Sequence, residues 1–197
     1  MHYYTNNIDA KTNEQTFDFA LRGNQLTFTT DIGVFSKKEI DFGSRLLIET
    51  FEEPECEGDF LDVGCGYGPI GLSLAKAFQT RNIQMIDVNE RAIGLSQKNA
   101  QLNGISNIQA YKSYIYDDVS GLFAAVLSNP PIRAGKQVVH GIIEGAAAKL
   151  VSGGELWIVI QKKQGAPSAE KKMVEVYGNC EIMEKKKGYF ILKSKKD

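Results

Sequence analysis

Residues 59–68 of this 197-residue chain read DFLDVGCGYG, and this stretch decides the fold. Its first half is an apolar run of strand length, and its second half is a glycine-rich turn that leads into Pro69. Glycines allow a chain to turn sharply and to approach a ligand closely. Proline is favoured in the first turn of a helix, where its missing N–H leaves no hydrogen bond unmade. The stretch therefore predicts a strand, a ligand-binding turn and a helix in succession.

Apolar runs of strand length alternate with helical patterns after this turn. We predict helices at 69–78, 89–103 and 137–151, and strands at 82–86, 107–111, 123–127 and 155–161. Leu102 is expected on one face of the second helix with Ala92 and Leu95, and Gly153-Gly154 is expected to close the third. Strands that alternate with helices of this length predict an α/β fold with a doubly wound, mostly parallel sheet.

Hairpin patterns occupy both ends of the chain. The first thirty residues alternate around a turn at Gly23-Asn24, which predicts an N-terminal β-hairpin. Residues 180–183 and 189–192 flank a lysine-rich turn and predict a C-terminal antiparallel hairpin. Between the first hairpin and the first core strand, Ser36 and Glu39 have the spacing of a capping box, which predicts that a helix begins there.

Two acidic residues distinguish between classes of cofactor. Asp62 lies two residues before Gly64, where its carboxylate would repel a pyrophosphate but would suit a ligand with an ammonium and a sulfonium. A dinucleotide fingerprint would also require glycine in place of Pro69. Asp87 lies 19 residues after Gly68, near the offset of about 20 expected for an acid that binds ribose hydroxyls. An N-cap for the next helix is its alternative role. Together these features predict S-adenosylmethionine.

The fourth strand leads into Asn129-Pro130-Pro131. This motif leaves the carboxyl end of a strand near the glycine turn, where open α/β sheets bind ligands. Asn129 offers a side-chain carbonyl, and the prolines present backbone acceptors without competing N–H groups. Two such acceptors can hold both hydrogens of a planar amine while its nitrogen attacks a methyl group. Asn129 and Pro130 are therefore the predicted catalytic residues, with a rigid structural turn as the alternative.

Charge is divided unevenly along the chain, although the net charge is −1. The balance is −6 over residues 1–98 and +5 over residues 99–197. Such a division fits a basic face for phosphates, and a solvated lysine-rich surface fits it equally well. Arg133 and Lys136 follow the Asn-Pro-Pro motif and are predicted to clamp phosphates beside a flipped-out base. Residues 161–165 could join that surface, whereas solvated lysines are the usual finding in a turn such as 185–187.

The composition limits the cellular compartments and the kinds of active site that we expect. The three cysteines form no C-x-x-C pair and the chain has two histidines, so no metal site is expected. No apolar run reaches the length of about 18 residues that a membrane helix requires. The first residues lack the pattern of a signal peptide. We therefore expect a cytoplasmic protein that does not associate with membranes.

Residues 62–68, Asp87 and Asn129-Pro130-Pro131 together resemble class I S-adenosylmethionine-dependent methyltransferases. Residues 33–36 (GVFS) and 41–44 (DFGS) resemble the ribosomal RNA small-subunit methyltransferase C group, which methylates guanine-N2. The resemblance spans nearly the whole chain. It implies a seven-stranded Rossmann-like sheet and one methyltransferase domain over 1–197, with the hairpin and a lid in 1–35 and the catalytic core in 36–197. It also implies ribosomal RNA or the small ribosomal subunit as partner.

The resemblance also assigns a site, with some departures. The cofactor-binding residues that we expect are Asp62, Gly64, Cys65, Gly66, Gly68, Asp87, Val88, Ser113 and Asn129. Ser113 stands where an acid commonly contacts the adenine amine, and Asp117 is an alternative. Phe35, in a loop over the site, and Ile132 are expected to touch the substrate with Arg133 and Lys136. Ile132 replaces an aromatic residue that stacks on the target ring, so stacking would come from Phe35, Tyr67 or Arg133.

Alternative functions remain at this stage. Adenine-N6 and protein glutamine methylation use the same Asn-Pro-Pro chemistry, and a dehydrogenase is disfavoured by Asp62 and Pro69. A non-catalytic RNA-binding or assembly module is an alternative of another class. Two-domain members of the group carry an additional N-terminal copy of the fold, so a homodimer is one expectation for this single copy.

Overall fold

The computed structural model describes residues 12–34, 39–131, 133 and 135–197. Its elements in chain order are β1 (Gln15–Leu21), β2 (Asn24–Thr30), α1 (Phe42–Thr50), β3 (Asp59–Val63), α2 (Pro69–Ala77), β4 (Ile83–Asp87), α3 (Glu90–Leu102), β5 (Ile108–Lys112), β6 (Phe123–Ser128), α4 (Lys136–Ala147), β7 (Leu150–Gln161), α5 (Ala166–Tyr177), β8 (Glu181–Lys186) and β9 (Tyr189–Lys195). A 3-10 turn at Lys162–Gln164 joins β7 to α5.

The main sheet has seven strands in the order β5-β4-β3-β6-β7-β9-β8. The strands from β5 to β7 are parallel, and β9 runs antiparallel to both β7 and β8. This arrangement confirms the predicted doubly wound, mostly parallel sheet with an antiparallel C-terminal hairpin. The strand order reverses between β3 and β6, so a crevice forms at the carboxyl ends of these two strands, where such sheets bind ligands.

Helices cover both faces of the sheet. One apolar cluster joins the sheet to α1, α2, α3 and the β1–β2 hairpin, and the other joins it to α4 and α5. Because both faces are covered, every residue of β6 is buried. Its sequence accordingly does not alternate between apolar and polar residues. Within the described residues, no helix is both long enough and apolar enough to span a bilayer.

The β1–β2 hairpin forms a separate two-stranded sheet that docks onto α3. Asn99 accepts from Thr29 N at 2.7 Å and donates to Thr29 O at 2.9 Å, so its amide pairs with β2 as a neighbouring strand would. Asn103 makes the same pair of bonds with Thr27. These two asparagines, one helical turn apart, fix the hairpin against the core that is built on the main sheet.

Several predicted boundaries differ from the structure. The hairpin turn lies at Arg22 and Gly23, one residue early, because both residues take the positive φ of a tight hairpin turn (49° and 74°). The helix predicted near Ser36 begins at Phe42, since Asp41 caps it by accepting from Ser44 N at 3.0 Å. Ser36 itself lies outside the described residues.

The carboxyl half contains two further differences. α4 ends at Ala147, and Gly153 and Gly154 lie within β7 instead of closing the helix, because β7 begins to pair with β6 already at Leu150. Leu102, expected on the buried face of α3, is 52% exposed. Helix α5 was not predicted at all.

Candidate active site

The turn after β3 depends on the conformation of its glycines. Gly64, Gly66 and Gly68 have φ values of 77°, 57° and 103°, which residues with a side chain rarely adopt. A Cβ at Gly68 would also lie 2.8 Å from Leu72 Cδ1 of α2. No atom lies within 4 Å of a Cβ placed at Gly64 or Gly66, so the space beside these two residues is open. The turn therefore offers bare backbone to a ligand.

Backbone hydrogen bonds to β4 and within the turn itself hold the glycine turn in place. Gly64 N and Cys65 N both donate to Ile86 O at 2.9 Å, and Gly68 N donates to Cys65 O at 3.0 Å. Cys65 is buried, and burial raises the pKa of its thiol well above the usual value, so it is a neutral packing residue. Since its backbone N–H and C=O both have protein partners, Cys65 would serve a cofactor by shaping the turn.

Asp87, at the end of β4, organises the loops on either side of it. Its Oδ2 accepts from Gly66 N at 2.9 Å, and its Oδ1 accepts from Asn89 N at 2.9 Å. The cap of α3 is Asn89, whose Oδ1 accepts from Arg91 N, so the alternative role of Asp87 as N-cap is ruled out. A carboxylate offers about four acceptor positions, so the geometry leaves capacity for ribose hydroxyls.

Asp62 is a buried acid with one oxygen engaged. Its Oδ2 accepts from Gly71 N at 2.9 Å, whereas its Oδ1 has no hydrogen-bond partner among the described residues. Burial raises its pKa to about 7; the bond from Gly71 opposes that shift and the charge of Asp87 adds to it. A buried carboxylate of this kind is stabilised by a cationic ligand group, such as an ammonium or sulfonium.

A mainly apolar pocket, which we call the slot, has Asp87 in its wall. Several predicted cofactor residues line it together: Gly64, Asp87, Val88 and Ser113, with Pro131 of the Asn-Pro-Pro motif at one side. Its apolar walls include Ile86, Ile115 and Ile142. A flat aromatic base fits such a slot, so the acid for ribose, the orphan carboxylate oxygen and the slot together fit S-adenosylmethionine.

Ser113 would contribute to an adenine site through its shape more than through hydrogen bonding, because its hydroxyl already has two protein partners. Ser113 is buried, and its Oγ donates to Ile115 O at 3.2 Å and accepts from Asp118 N at 3.1 Å. Asp117, the alternative that we considered, is exposed.

The side chain of Asn129 is held in one orientation by α1. Its Nδ2 donates to Asp41 Oδ2 at 3.0 Å and to Ser44 Oγ at 3.0 Å. The two ends of an amide are hard to distinguish by shape. However, Asp41 Oδ2 already accepts from Ser44 N, so it acts as an acceptor and the amide nitrogen of Asn129 must face it. The acceptor Oδ1 is thereby turned away from α1, as the catalytic hypothesis requires.

Sequence reasoning missed the contribution of Asp41 and Ser44 to the site. Both belong to the DFGS segment that carried part of the family resemblance, but that pattern alone did not show what they touch. Their closeness to Asn129 depends on how α1 packs across the end of β6.

The predicted substrate residues are only partly described. Phe35 and Ile132 lie outside the described residues. Arg133 and Lys136 are exposed after the Asn-Pro-Pro motif, and Lys136 begins α4. Tyr67 cannot stack on a target base, because it is 2% exposed and its ring packs edge-on against Phe28 at 5.9 Å. That alternative was wrong.

Fold and site together define an S-adenosylmethionine-dependent methyltransferase. Residues 25–193 match the family model described as methyltransferase small domain, and the chain belongs to this family. It is 60% identical over 197 residues to the uncharacterized protein YbxB of Bacillus subtilis (strain 168). This match covers 99% of this chain and 98% of that protein.

Other relatives have names that include a substrate. The chain is 34% identical over 186 residues to ribosomal RNA small subunit methyltransferase C of Vibrio parahaemolyticus, covering 92% of this chain and 53% of the relative. Among solved structures, the T. thermophilus 16S rRNA N2 G1207 methyltransferase (RsmC) in complex with AdoMet and guanosine matches with a TM-score of 0.84. Its sequence is 26% identical, and the match covers 93% of this chain and 51% of that one. The chain thus spans about half the length of these named relatives.

Proposed function

We propose that this chain transfers a methyl group from S-adenosylmethionine to the exocyclic amine of a base in RNA, with guanine-N2 of small-subunit ribosomal RNA as the acceptor. The fixed orientation of Asn129 carries the proposal, because it prepares an acceptor for an N–H group at the carboxyl edge of the sheet. The relatives named as ribosomal RNA small subunit methyltransferase C support the choice of RNA.

The cofactor residues hold the ligand by charge and shape. Asp87 would accept the ribose hydroxyls, Asp62 would pair with the cationic part of the ligand, and the slot beside Val88 and Ser113 would take the adenine. When bound there, S-adenosylmethionine supplies an electrophilic methyl group on a sulfonium.

The chain itself contributes positioning and polarity at the amine. Two acceptors, Asn129 Oδ1 and the carbonyl oxygen of Pro130, would each accept a hydrogen bond from one N–H group of the target amine. These bonds would orient the nitrogen lone pair. The amine becomes acidic as its new bond forms, so no strong base is needed and the proton leaves through these acceptors to water. Catalysis of this kind rests on preorganised hydrogen-bond partners more than on a titrating group.

The target base must leave its stack to reach Asn129, so the substrate is an unpaired or flipped nucleotide. Arg133 and Lys136, exposed beside the motif, are proposed to hold the neighbouring phosphates, and Phe35 and Ile132 to touch the base. Ribosomal RNA as substrate places the enzyme in the cytoplasm. A homodimer is proposed as the form that binds RNA, and light scattering with and without RNA tests it.

The Asn129→Ala variant tests the proposal directly. We expect methyl transfer to fall by at least about a hundredfold, the scale of losing a preorganised polar partner at a reacting centre. Cofactor affinity by calorimetry should stay within a few-fold of the original. Mapping methylated nucleotides in ribosomal RNA from cells with and without the protein identifies the base. A product at adenine-N6 or at a protein glutamine would overturn the guanine assignment, and full turnover by the variant would remove Asn129 from the mechanism.

A further inference from the structure

Five exposed lysines lie together on the rim formed by the C-terminal hairpin, and we call them the hairpin-tip surface: Lys162, Lys163, Lys185, Lys186 and Lys187. The 3-10 turn meets the hairpin directly, because Lys162 N donates to Gly188 O at 2.8 Å. The strands continue this contact, since Gln161 pairs with Tyr189. Two lysine runs that are separated in sequence thus form one patch.

Among the residues that the structure describes, no acidic side chain pairs with the lysines of this surface. None of the five forms an ion pair with a described Asp or Glu, whereas other lysines do so, including Lys98, Lys112 and Lys172. The like charges are therefore gathered without ion pairs among the described residues, although the carboxylate of Glu184, which accepts from Lys185 N, lies in the same hairpin. Mutual repulsion of the lysines costs free energy. An anionic partner would remove that cost.

The surface adjoins the catalytic corner through α1. Lys187 Nζ lies 4.9 Å from the centroid of the Phe42 ring, and Phe42 is the first residue of α1. The residue before it, Asp41, holds the amide of Asn129. Tyr189 strengthens the junction: its ring lies 5.5 Å from Phe42, and its Cε1 lies 2.8 Å from where a Cβ of Gly43 would be.

We propose that the hairpin-tip surface binds the phosphate backbone of the RNA strand that flanks the methylated base. The inference rests on the proposed function for its choice of RNA. It joins residues 185–187, whose lysines we expected only to be solvated, to Lys162 and Lys163, which were already candidates for phosphate binding. Phosphate contacts of this kind fix the register of a strand without reading its sequence. Here they would present the target nucleotide to Asn129.

The composition of the surface favours RNA over an acidic protein. Protein interfaces have an apolar core with a polar rim. The large apolar side chains that are exposed among the described residues are Leu102, Tyr114, Leu122 and Val174, and none of them belongs to this surface. A patch of exposed lysines without such a core suits a polyanion that is bound by charge.

The experiment compares two double variants that remove the same charge. Lys185→Gln with Lys187→Gln alters the hairpin-tip surface. The matched control, Lys171→Gln with Lys195→Gln, removes two exposed lysines elsewhere: one on α5, the other at the far end of β9. Binding of a fluorescent ribosomal RNA oligonucleotide is measured by anisotropy over a series of salt concentrations, with S-adenosylhomocysteine present so that no turnover occurs.

We expect the slope of log affinity against log salt to decrease in magnitude by about 1.4 for the hairpin variant, or about 0.7 for each lost phosphate contact with a single strand. The control should keep the original slope, and both variants should keep the original cofactor affinity and melting temperature. Lys162→Gln with Lys163→Gln provides an independent test of the other half of the surface, with the same expected decrease. In methylation assays, KM for RNA should rise several-fold while kcat is unchanged.

Binding is measured without turnover, so the two proposals can fail separately. If no RNA is methylated but the slope still depends on these lysines, the proposed reaction fails and the surface stands. If RNA is methylated and the slope is the same in all variants, or falls equally in the control, the surface is overturned. It is also overturned if poly-glutamate competes as well as RNA of equal charge, because the partner would then be an acidic protein.

Discussion

Asp41 performs two tasks with one oxygen atom. Its Oδ2 accepts from Ser44 N and so caps α1, and it also accepts from Asn129 Nδ2. The second bond selects which end of the Asn129 amide faces the substrate. We therefore regard Asp41 as a positioning residue for the proposed reaction.

Replacing Asp41 separates these two tasks. Asp41→Ser keeps a good helix cap but is too short to hold Asn129, so we expect kcat to fall by about 10- to 100-fold, the equivalent of one hydrogen bond to a charged group. Cofactor affinity and melting temperature should change little. Asp41→Asn can keep both bonds through its carbonyl oxygen and should restore most of the activity. Equal losses in both variants, measured by single-turnover assays, would contradict this role.

Asp62 should make cofactor binding depend on pH. Its pKa is raised to about 7, so the free protein carries this carboxyl mostly protonated at about pH 6 and mostly ionised at about pH 7.5. A cationic ligand prefers the ionised form, so affinity should rise roughly five- to tenfold between these two pH values. Binding should also release protons in calorimetry at the lower pH.

The control for this prediction is Asp62→Asn, which keeps the acceptor for Gly71 N and cannot ionise. Its affinity should be weaker and nearly constant over the same range, while any titration of the ligand itself remains. A variant with the original pH dependence would show that Asp62 does not face the cationic group.

At the scale of single residues, the acids at strand ends could be predicted, and their orienting partners could not. Asp62, Asp87 and Asn129 each stand at or just after the carboxyl end of a strand, so the alternation of elements places them on one edge. The pairing of Asp41 with Asn129 joins residues 88 positions apart. Nothing in the local sequence indicates that a helix cap will also touch a loop after a distant strand.

At the scale of elements, the contact between α3 and β2 depends on the buried side chain of Asn99. Asn99 is fully buried and serves three backbone groups: Thr29 N, Thr29 O and, at 2.8 Å, Tyr67 O. The hairpin edge and the glycine turn therefore depend on one amide. Water cannot easily replace this amide, because Asn99 has no solvent-exposed surface.

Asn99→Ala should lower the free energy of unfolding by about 3 to 5 kcal/mol, because each buried group left without a partner costs about 1 to 3 kcal/mol. The control is Gln101→Ala, an exposed position in the same helix, which should change stability by less than about 0.5 kcal/mol. Urea denaturation measures both. A loss below about 1 kcal/mol for Asn99→Ala would show that the hairpin contributes little to the cooperative unit.

Whole elements were predicted correctly where their hydrophobic pattern was strong. Prediction failed where tertiary packing, and not the local pattern, determines which residues are buried. The buried strands β3 and β6 were located within one residue at either end. Helix α5 was missed because its buried residues, Ala166, Ala169, Met173 and Tyr177, are small or widely spaced among charged residues. The exposure of Leu102 shows that helical spacing alone does not say which end of an apolar stripe extends beyond the core.

For the molecule as a whole, the alternation of strands and helices was enough to predict the parallel sheet and the edge that binds ligands. The C-terminal hairpin was expected to add antiparallel pairing at one sheet edge, which is confirmed, but the order of its two strands was not predicted. Because β9 lies between β7 and β8, its turn reaches the same edge as Asn129. The strand order thus brings the lysines of the hairpin-tip surface to the edge that carries Asn129, which local turn chemistry could not reveal.

The amide of Asn99 also has a thermodynamic consequence. It ties the first hairpin to the carbonyl of Tyr67, in the loop that carries the methyl donor, so order in one of them favours order in the other. Such linkage is reciprocal: whatever free energy the donor gains from a docked hairpin, the hairpin gains from the donor. The β1–β2 hairpin would in this sense act as an additional ligand, whose docking is coupled to binding of the methyl donor.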